Sequence, residues 1–195
     1  MRYLVVYAHP VEDSYCAALN KTVCDALIQA GHEVDNIDLY AEGFEAVLSR
    51  QERQDYHTRD VNLANVKNHV DRLKAAEGLI FVFPTWWYSL PAILKGWLDR
   101  VWVPHVTFTL PDNGEPIRPL MQHIRHVGGV TTCGAPWLWS KIVGEPARKI
   151  ILRGIKVLCH KPCKSTWLAM YKMDESTPQQ RVAYLRKVEK RFLSL

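Results

Sequence analysis

The stretch Arg2-Tyr3-Leu4-Val5-Val6-Tyr7-Ala8 is an almost unbroken run of β-branched, aromatic and aliphatic residues. A strand covered on both faces reads this way, because side chains on either side of it meet an apolar layer. The next segment, His9-Pro10-Val11-Glu12-Asp13-Ser14, is turn-like. Residues 16–30 then place Leu19, Val23, Ala26, Leu27 and Ala30 on one helical face. Gly31 ends that helix where a left-handed cap costs little, and residues 33–39 read as a second strand. Strand, helix and strand in this order make a βαβ unit with parallel strands.

The alternation continues along the chain. Ser49 and Glu52 have capping-box spacing for a short helix. Leu63, Val66, Val70 and Leu73 mark another helix, ended by Gly78, and residues 79–83 form a third buried strand. Pro91 opens a helix with Leu94, Trp97, Leu98 and Val101 on one side. A fourth strand is expected over residues 123–132, a helix over 137–154 and a last strand over 164–173. Thr177-Pro178 with Gln180 starts a terminal helix that runs to about Phe192. Residues 104–119, with the turn signal Asp112-Asn113-Gly114, read as an excursion from the sheet. The expectation is one α/β domain over residues 1–195, a three-layer sandwich around a five-stranded parallel sheet.

Composition narrows the function classes. The chain has 195 residues, 48% hydrophobic and 23% charged, which suits one globular domain with a substantial core. Its apolar runs are far shorter than the ~20 residues of a membrane-spanning helix, and no signal-peptide pattern precedes the first strand. A cytoplasmic location is expected. The net charge of +5 raises the question of nucleic acid. The basic residues alternate with apolar ones at helical spacing, however, which reads as solvated helix faces, and no nucleic-acid motif occurs. The five cysteines show no disulfide framework. Cys159-His160 and Cys163 form a lone C-x3-C without a second pair, weak evidence for zinc, so free thiols and no metal are expected.

Chemistry is expected beyond the carboxyl ends of the strands, where open parallel sheets bind ligands. His9, Ser14, Tyr15 and Cys16 join the first strand to the first helix. A helix start with a hydroxyl and an imidazole suits a phosphate, and Ser14 equally suits an N-cap. The loop is neither a Walker A nor a G-x-G-x-x-G sequence. Pro84-Thr85-Trp86-Trp87-Tyr88 follows the third strand. Three consecutive aromatics in a loop cannot all point inward, which favours a wall for a flat ring over ordinary core. Thr131-Thr132-Cys133-Gly134 follows the fourth strand and suits either close ligand approach or a plain strand-to-helix turn.

Several segments carry a family resemblance. They are Tyr7-Ala8-His9-Pro10 with Ser14, Asp38-Leu39-Tyr40, Leu48-Ser49-Arg50, Thr131-Thr132, and the most specific one, Phe83-Pro84-Thr85-Trp86-Trp87-Tyr88-Ser89-Leu90-Pro91-Ala92-Ile93-Leu94-Lys95-Gly96-Trp97-Leu98-Asp99-Arg100-Val101. In this order they resemble the NAD(P)H:quinone oxidoreductases of the flavodoxin-like fold, the DT-diaphorase type with its short bacterial relatives. The resemblance implies noncovalent FAD or FMN, NADPH or NADH as donor, a quinone or similar small acceptor, and a homodimer with the flavin at the subunit interface. By position, His9, Ser14, Tyr15, Cys16 and Ala18 would hold the phosphate end. Pro84, Thr85, Trp86, Trp87 and Tyr88 would hold the isoalloxazine, and Thr131, Thr132, Cys133 and Gly134 its other edge.

The departures are specific. Cys16 stands where the family often has Asn, and Cys133 stands in a usual Gly-Gly. The family's Tyr and His that assist hydride transfer fall at Trp139 and Glu145, and an indole supplies no phenolic proton. Two family tyrosines of the acceptor pocket fall at Phe108 and Leu110, making that pocket more apolar. No side chain is required as nucleophile. A donor and an acceptor sharing one cavity imply ping-pong turnover. Alternatives are a regulatory flavoprotein subunit docking on a transport system or other partner, and a one-electron carrier like flavodoxin, which the basic charge disfavours.

Overall fold

The computed structural model describes residues 1–111 and 115–195, so the expected Asp112-Asn113-Gly114 turn lies outside the described residues. The strands are β1 (Arg2–Tyr7), β2 (Glu33–Asp38), β3 (Gly78–Pro84), β4 (His126–Thr132) and β5 (Lys164–Met170). They form one parallel sheet in the order β2-β1-β3-β4-β5. The helices are α1 (Tyr15–Gln29), α2 (Arg50–Asp55), α3 (Lys67–Ala75), α4 (Ala92–Val101), α5 (Trp137–Val143), α6 (Pro146–Lys149) and α7 (Pro178–Leu193).

Two apolar layers explain the covering of the sheet. Tyr3, Val5, Tyr7, Ile80, Val82 and Val130 meet Leu19, Val23 and Leu27 of α1 and Val188 and Phe192 of α7. Leu4, Val6, Leu79, Phe81, Phe83 and Val127 face the other way, onto Val70 and Leu73 of α3, Leu94 and Trp97 of α4, and Ala147, Ile151 and Ile155. Each fully buried Leu, Val or Phe contributes about 1.5–3 kcal/mol to this packing. No helix among the described residues is long and apolar enough to cross a membrane.

Local signals place the helix starts. Ser49 Oγ accepts from Glu52 N at 3.1 Å while Glu52 Oε2 accepts from Ser49 N at 2.9 Å. Thr177 and Gln180 make the same reciprocal pair for α7. Cys159 and Cys163 are buried free thiols, and among the described residues no three His, Cys, Asp or Glu side chains gather around a possible ion.

Besides shifts of a residue at the ends of β2 and β3 and a 3-10 turn over Val61–Val66 ahead of α3, three differences from the sequence reading stand out. β4 begins at His126 rather than residue 123. The expected helix over 137–154 is broken after Val143, because Gly144 (φ +95°) and Glu145 (φ +48°) are both left-handed. Glycine adopts that conformation freely, and Pro146 disfavours the α region for the residue before it. Beyond α6, Ile150–Ile155 winds in π geometry. β5 stops at Met170 rather than residue 173, with Lys172 left-handed at φ +53° just beyond.

The register fixes the site. Phe83 lies beside Thr131 and Pro84 beside Thr132, so the segments after β3 and β4 leave the sheet side by side. The chain passes from β1 outward to β2 and then back across to β3, which puts the crevice between the β1 and β3 ends.

Candidate functional site

The loop after β1 forms a helix start with spare donors. Ser14 Oγ accepts from Ala17 N at 3.1 Å, which settles Ser14 as the N-cap of α1. Ala18 N donates to Ser14 O at 3.1 Å. Ala18 therefore has only its methyl to offer, while the amides of Tyr15 and Cys16 have no acceptor among the described residues. Val11 N donates to His9 Nδ1 at 3.1 Å, which turns the other ring nitrogen outward. Burial pushes the Cys16 thiol up to about 12, so it stays neutral beside an anion.

The loop after β3 is held open by strain. Trp87 and Tyr88 have φ of +49° and +60°, and Ser89 N donates to Trp86 O at 3.0 Å, the pattern of a type I′ turn. Such a turn is ordinarily built from Asn and Gly, and each left-handed aromatic costs about 1–3 kcal/mol. In return the amides of Trp87 and Tyr88 donate to nothing among the described residues, and the Trp87 side chain stands 95% exposed. Trp86 leans toward the first loop, its ring centroid 6.1 Å from that of His9.

The loop after β4 closes the other side. Thr131 is buried and its hydroxyl meets that of Thr85 at 2.8 Å. Thr85 N donates to Thr132 O at 2.7 Å. Gly134 is a close approach: a Cβ there would lie 2.5 Å from Asp174 Oδ2. The Gly134 amide has no acceptor among the described residues.

The loops after β3 and β4 enclose a cleft of about 540 Å3 lined by residues 84–88 and 132–135 with Met173 and Asp174, while His9, Ser14, Tyr15, Cys16 and Ala18 of the first loop do not line it. Ligand pockets are commonly ~300–1,000 Å3. A narrow slot of about 20 Å3 opens beside it, under α5 and α6. Thr85, Tyr88 and Cys133 line both, and Glu145, Arg148, Trp167 and Tyr171 belong to the slot alone. The sequence reading passed over Arg148, Tyr171 and Asp174. The Gly144-Glu145-Pro146 signal for a helix break was the one available clue.

The remaining predicted residues lie elsewhere. Trp139 is 52% exposed on α5 and does not line the cleft. Phe108 and Leu110 do not line the cleft of their own chain either; Phe108 pairs with Pro104 and Pro119 in the excursion.

The family described as "Flavodoxin-like fold" matches residues 1–191. The chain belongs to the flavodoxin-like fold family. A curated relative is an uncharacterised NAD(P)H oxidoreductase of Escherichia coli, 34% identical over 102 residues and covering 52% of each chain. The human ribosyldihydronicotinamide dehydrogenase [quinone] is 31% identical over 160 residues, 72% of this chain and 67% of the relative. The chain spans about half the length of the first curated relatives it matches. Among solved structures, Smu.1420 from Streptococcus mutans superposes with a TM-score of 0.84 at 28% identity over 100% of both chains. As a flavodoxin-like protein with quinone-oxidoreductase relatives, this chain has its cleft at the carboxyl ends of the strands, between the segments after β3 and β4 and next to the β1–β3 switch.

Proposed function

We propose that this protein is a flavin-dependent NAD(P)H oxidoreductase that passes two electrons to a quinone or similar small acceptor. One observation carries the reading: the left-handed Trp87-Tyr88 turn and Gly134 line the 540 Å3 cleft with backbone amides that have no acceptor among the described residues. Flat heteroaromatic rings with oxygen and nitrogen acceptors along one edge match such a donor set. The residues fit a flavin at its other end too, because Tyr15 and Cys16 offer a phosphate two free amides at the positive end of α1.

A bound flavin would supply the hydride chemistry. The chain's own residues bind and orient. The aromatic loop 86–88 supplies wall and donors, Thr132 and Gly134 the facing edge, and the start of α1 the phosphate contact. Binding of donor and acceptor in the one cleft gives ping-pong turnover. An indole at Trp139 holds no exchangeable phenolic proton, so protons reach the site from water or from other groups.

The homodimer belongs to the same proposal. Trp87 at the cleft and Trp137, Leu138 and Ile142 on α5 are large apolar side chains left exposed, the kind of surface a partner copy covers. Phe108 and Leu110 reach a cleft only if it is the one on a partner copy. The five free thiols accord with a reducing, cytoplasmic setting. A second reading, a regulatory flavoprotein subunit docking on a transport system, is favoured by that same α5 surface.

The test is a visible spectrum after incubation with FAD or FMN and removal of free flavin, repeated with anaerobic NADH or NADPH. Retained bands that bleach support the oxidoreductase. Retained bands that persist support the regulatory reading. Loss of all flavin rejects both.

A further inference from the structure

The slot beside the cleft contains a charge cluster built on Glu145, the position where the family resemblance places a His, and its cationic members answer to no sequence motif. Glu145 sits at the left-handed break between α5 and α6, its side chain only 11% exposed. Its Oε1 accepts from the Tyr171 phenol at 2.7 Å. Its Oε2 accepts from Lys141 Nζ at 2.5 Å and Arg148 NH1 at 3.3 Å. Burial by itself would raise the Glu145 carboxyl, but the bonds from Lys141 and Tyr171 and the two cations hold it below the usual carboxylate range. It is therefore ionised at neutral pH. Two cations against one carboxylate leave the cluster with one positive charge in excess. Tyr171 does not act as an acid here, because burial and the adjacent carboxylate push its phenol well above its ordinary value.

That excess charge lies beside the cleft, across a shared wall. Arg148 lines the slot together with Thr85, Tyr88 and Cys133, which also line the cleft. At about 20 Å3 the slot holds no more than about one water, so a ring system must occupy the larger cleft with the guanidinium behind its wall.

We propose that Arg148, positioned by Glu145 and through it by Tyr171, is the fixed positive charge that makes the cleft bind the reduced, anionic flavin in preference to the oxidised, neutral one. The inference rests on the flavin reading above. Its chemistry balances simply. Hydride transfer moves two electrons and one proton from the nicotinamide, which leaves in its oxidised form. The receiving group gains one negative charge until a second proton arrives from solvent. A preorganised charge at that point lowers the energy of the charged product without reorganisation. Arg148 is a positioning residue for charge rather than a group that exchanges protons.

The experiment measures the two-electron reduction potential and the oxidised-flavin dissociation constant of the wild-type protein, R148M, R148Q and R148K. Thermal midpoints are recorded alongside. R148M and R148Q should lose about tenfold in the preference for reduced over oxidised flavin, a fall of about 30 mV for a two-electron couple. R148K should retain most of the preference, and the difference should shrink as salt screens this half-exposed charge. Potentials unchanged in R148M and R148Q overturn the inference, as does an equal fall in R148K. If the wild-type protein retains and reduces flavin in that experiment, the functional reading survives such a failure. If the wild-type protein retains none, that reading falls and this inference falls with it.

Discussion

Thr85 Oγ1 and Thr131 Oγ1 lie 2.8 Å apart, a hydroxyl pair that ties the end of β3 to the end of β4 under the floor of the cleft. Thr131 is fully buried and its hydroxyl also donates to Thr132 O at 3.3 Å, so T85V leaves it that one partner, and T131V leaves the half-buried Thr85 hydroxyl within reach of water. T131V or T85V alone should destabilise the fold by about 0.5–1.5 kcal/mol, the usual net contribution of one hydrogen bond. The double variant should cost less than the sum, because the shape is preserved and neither hydroxyl remains. A double-mutant cycle by urea denaturation checks this. Strict additivity would mean that the two hydroxyls do not interact.

The Trp87-Tyr88 turn trades stability for an open donor set. Asn tolerates a left-handed backbone better than Trp, and the 95% exposed Trp87 ring contributes little packing within one chain. W87N should therefore raise stability by about 1 kcal/mol and weaken flavin retention. Thermal melts and flavin content after gel filtration read the two effects separately. A destabilised W87N in a protein shown to be monomeric would refute the strain argument.

Much of this was legible in the residues and some was not, for physical reasons. The parallel sheet followed from the β1 run, from 3.6-residue spacing in α1 and α4, and from capping pairs such as Ser49 with Glu52. The aromatic loop stood out because no strand or helix can bury Trp86, Trp87 and Tyr88 together. Which amides of the first loop stay free was not legible, because one residue of N-cap placement decides it: with Ser14 as cap, Ala18 N is bonded to Ser14 O while Tyr15 N and Cys16 N are not bonded within the described residues. Arg148, Tyr171 and Asp174 escaped notice because they reach the site through left-handed residues, Glu145 and Lys172, which hydrophobic periodicity does not register.

At the opposite end of the sheet, His126 is a built-in source of acid sensitivity. Its ring is buried between the Tyr3 hydroxyl at 3.0 Å and the Thr166 hydroxyl at 3.0 Å. Arg191 donates to the same Thr166 oxygen at 2.9 Å. Burial above all, then the charges of Arg191 and Lys164, lower the ring to about 4 from an unfolded value of 6.5. The folded state thus binds fewer protons than the unfolded state between these values. Stability is fully present above pH 6.5 and declines as the pH falls toward 4, by about 3 kcal/mol at ~1.4 kcal/mol per pH unit. His69 is lowered mainly by burial and acts in the same direction, so the comparison must be made against H126Q. The wild-type protein should lose more stability than H126Q between pH 7 and pH 4. Parallel pH curves for the two proteins would show that His126 titrates normally.

Asp174 places a second charge at the cleft, of opposite sign to Arg148. Its Oδ2 occupies the space a side chain at position 134 would need, and no donor among the described residues is bonded to it. A carboxylate at this lip opposes any anion held against Gly134. D174N removes the charge and keeps the shape. It should bind the reduced flavin more tightly relative to the oxidised one, moving the potential upward where R148M moves it downward. G134A should act partly like D174N, because the new methyl drives the flexible carboxylate away from the backbone. Potentiometry of D174N, G134A and R148M in one buffer decides the matter. Upward shifts for the first two with a downward shift for the third mean that the cleft sets its redox balance by two opposed charges. A downward shift in D174N would mean that its carboxylate instead orders the loop that holds the ring.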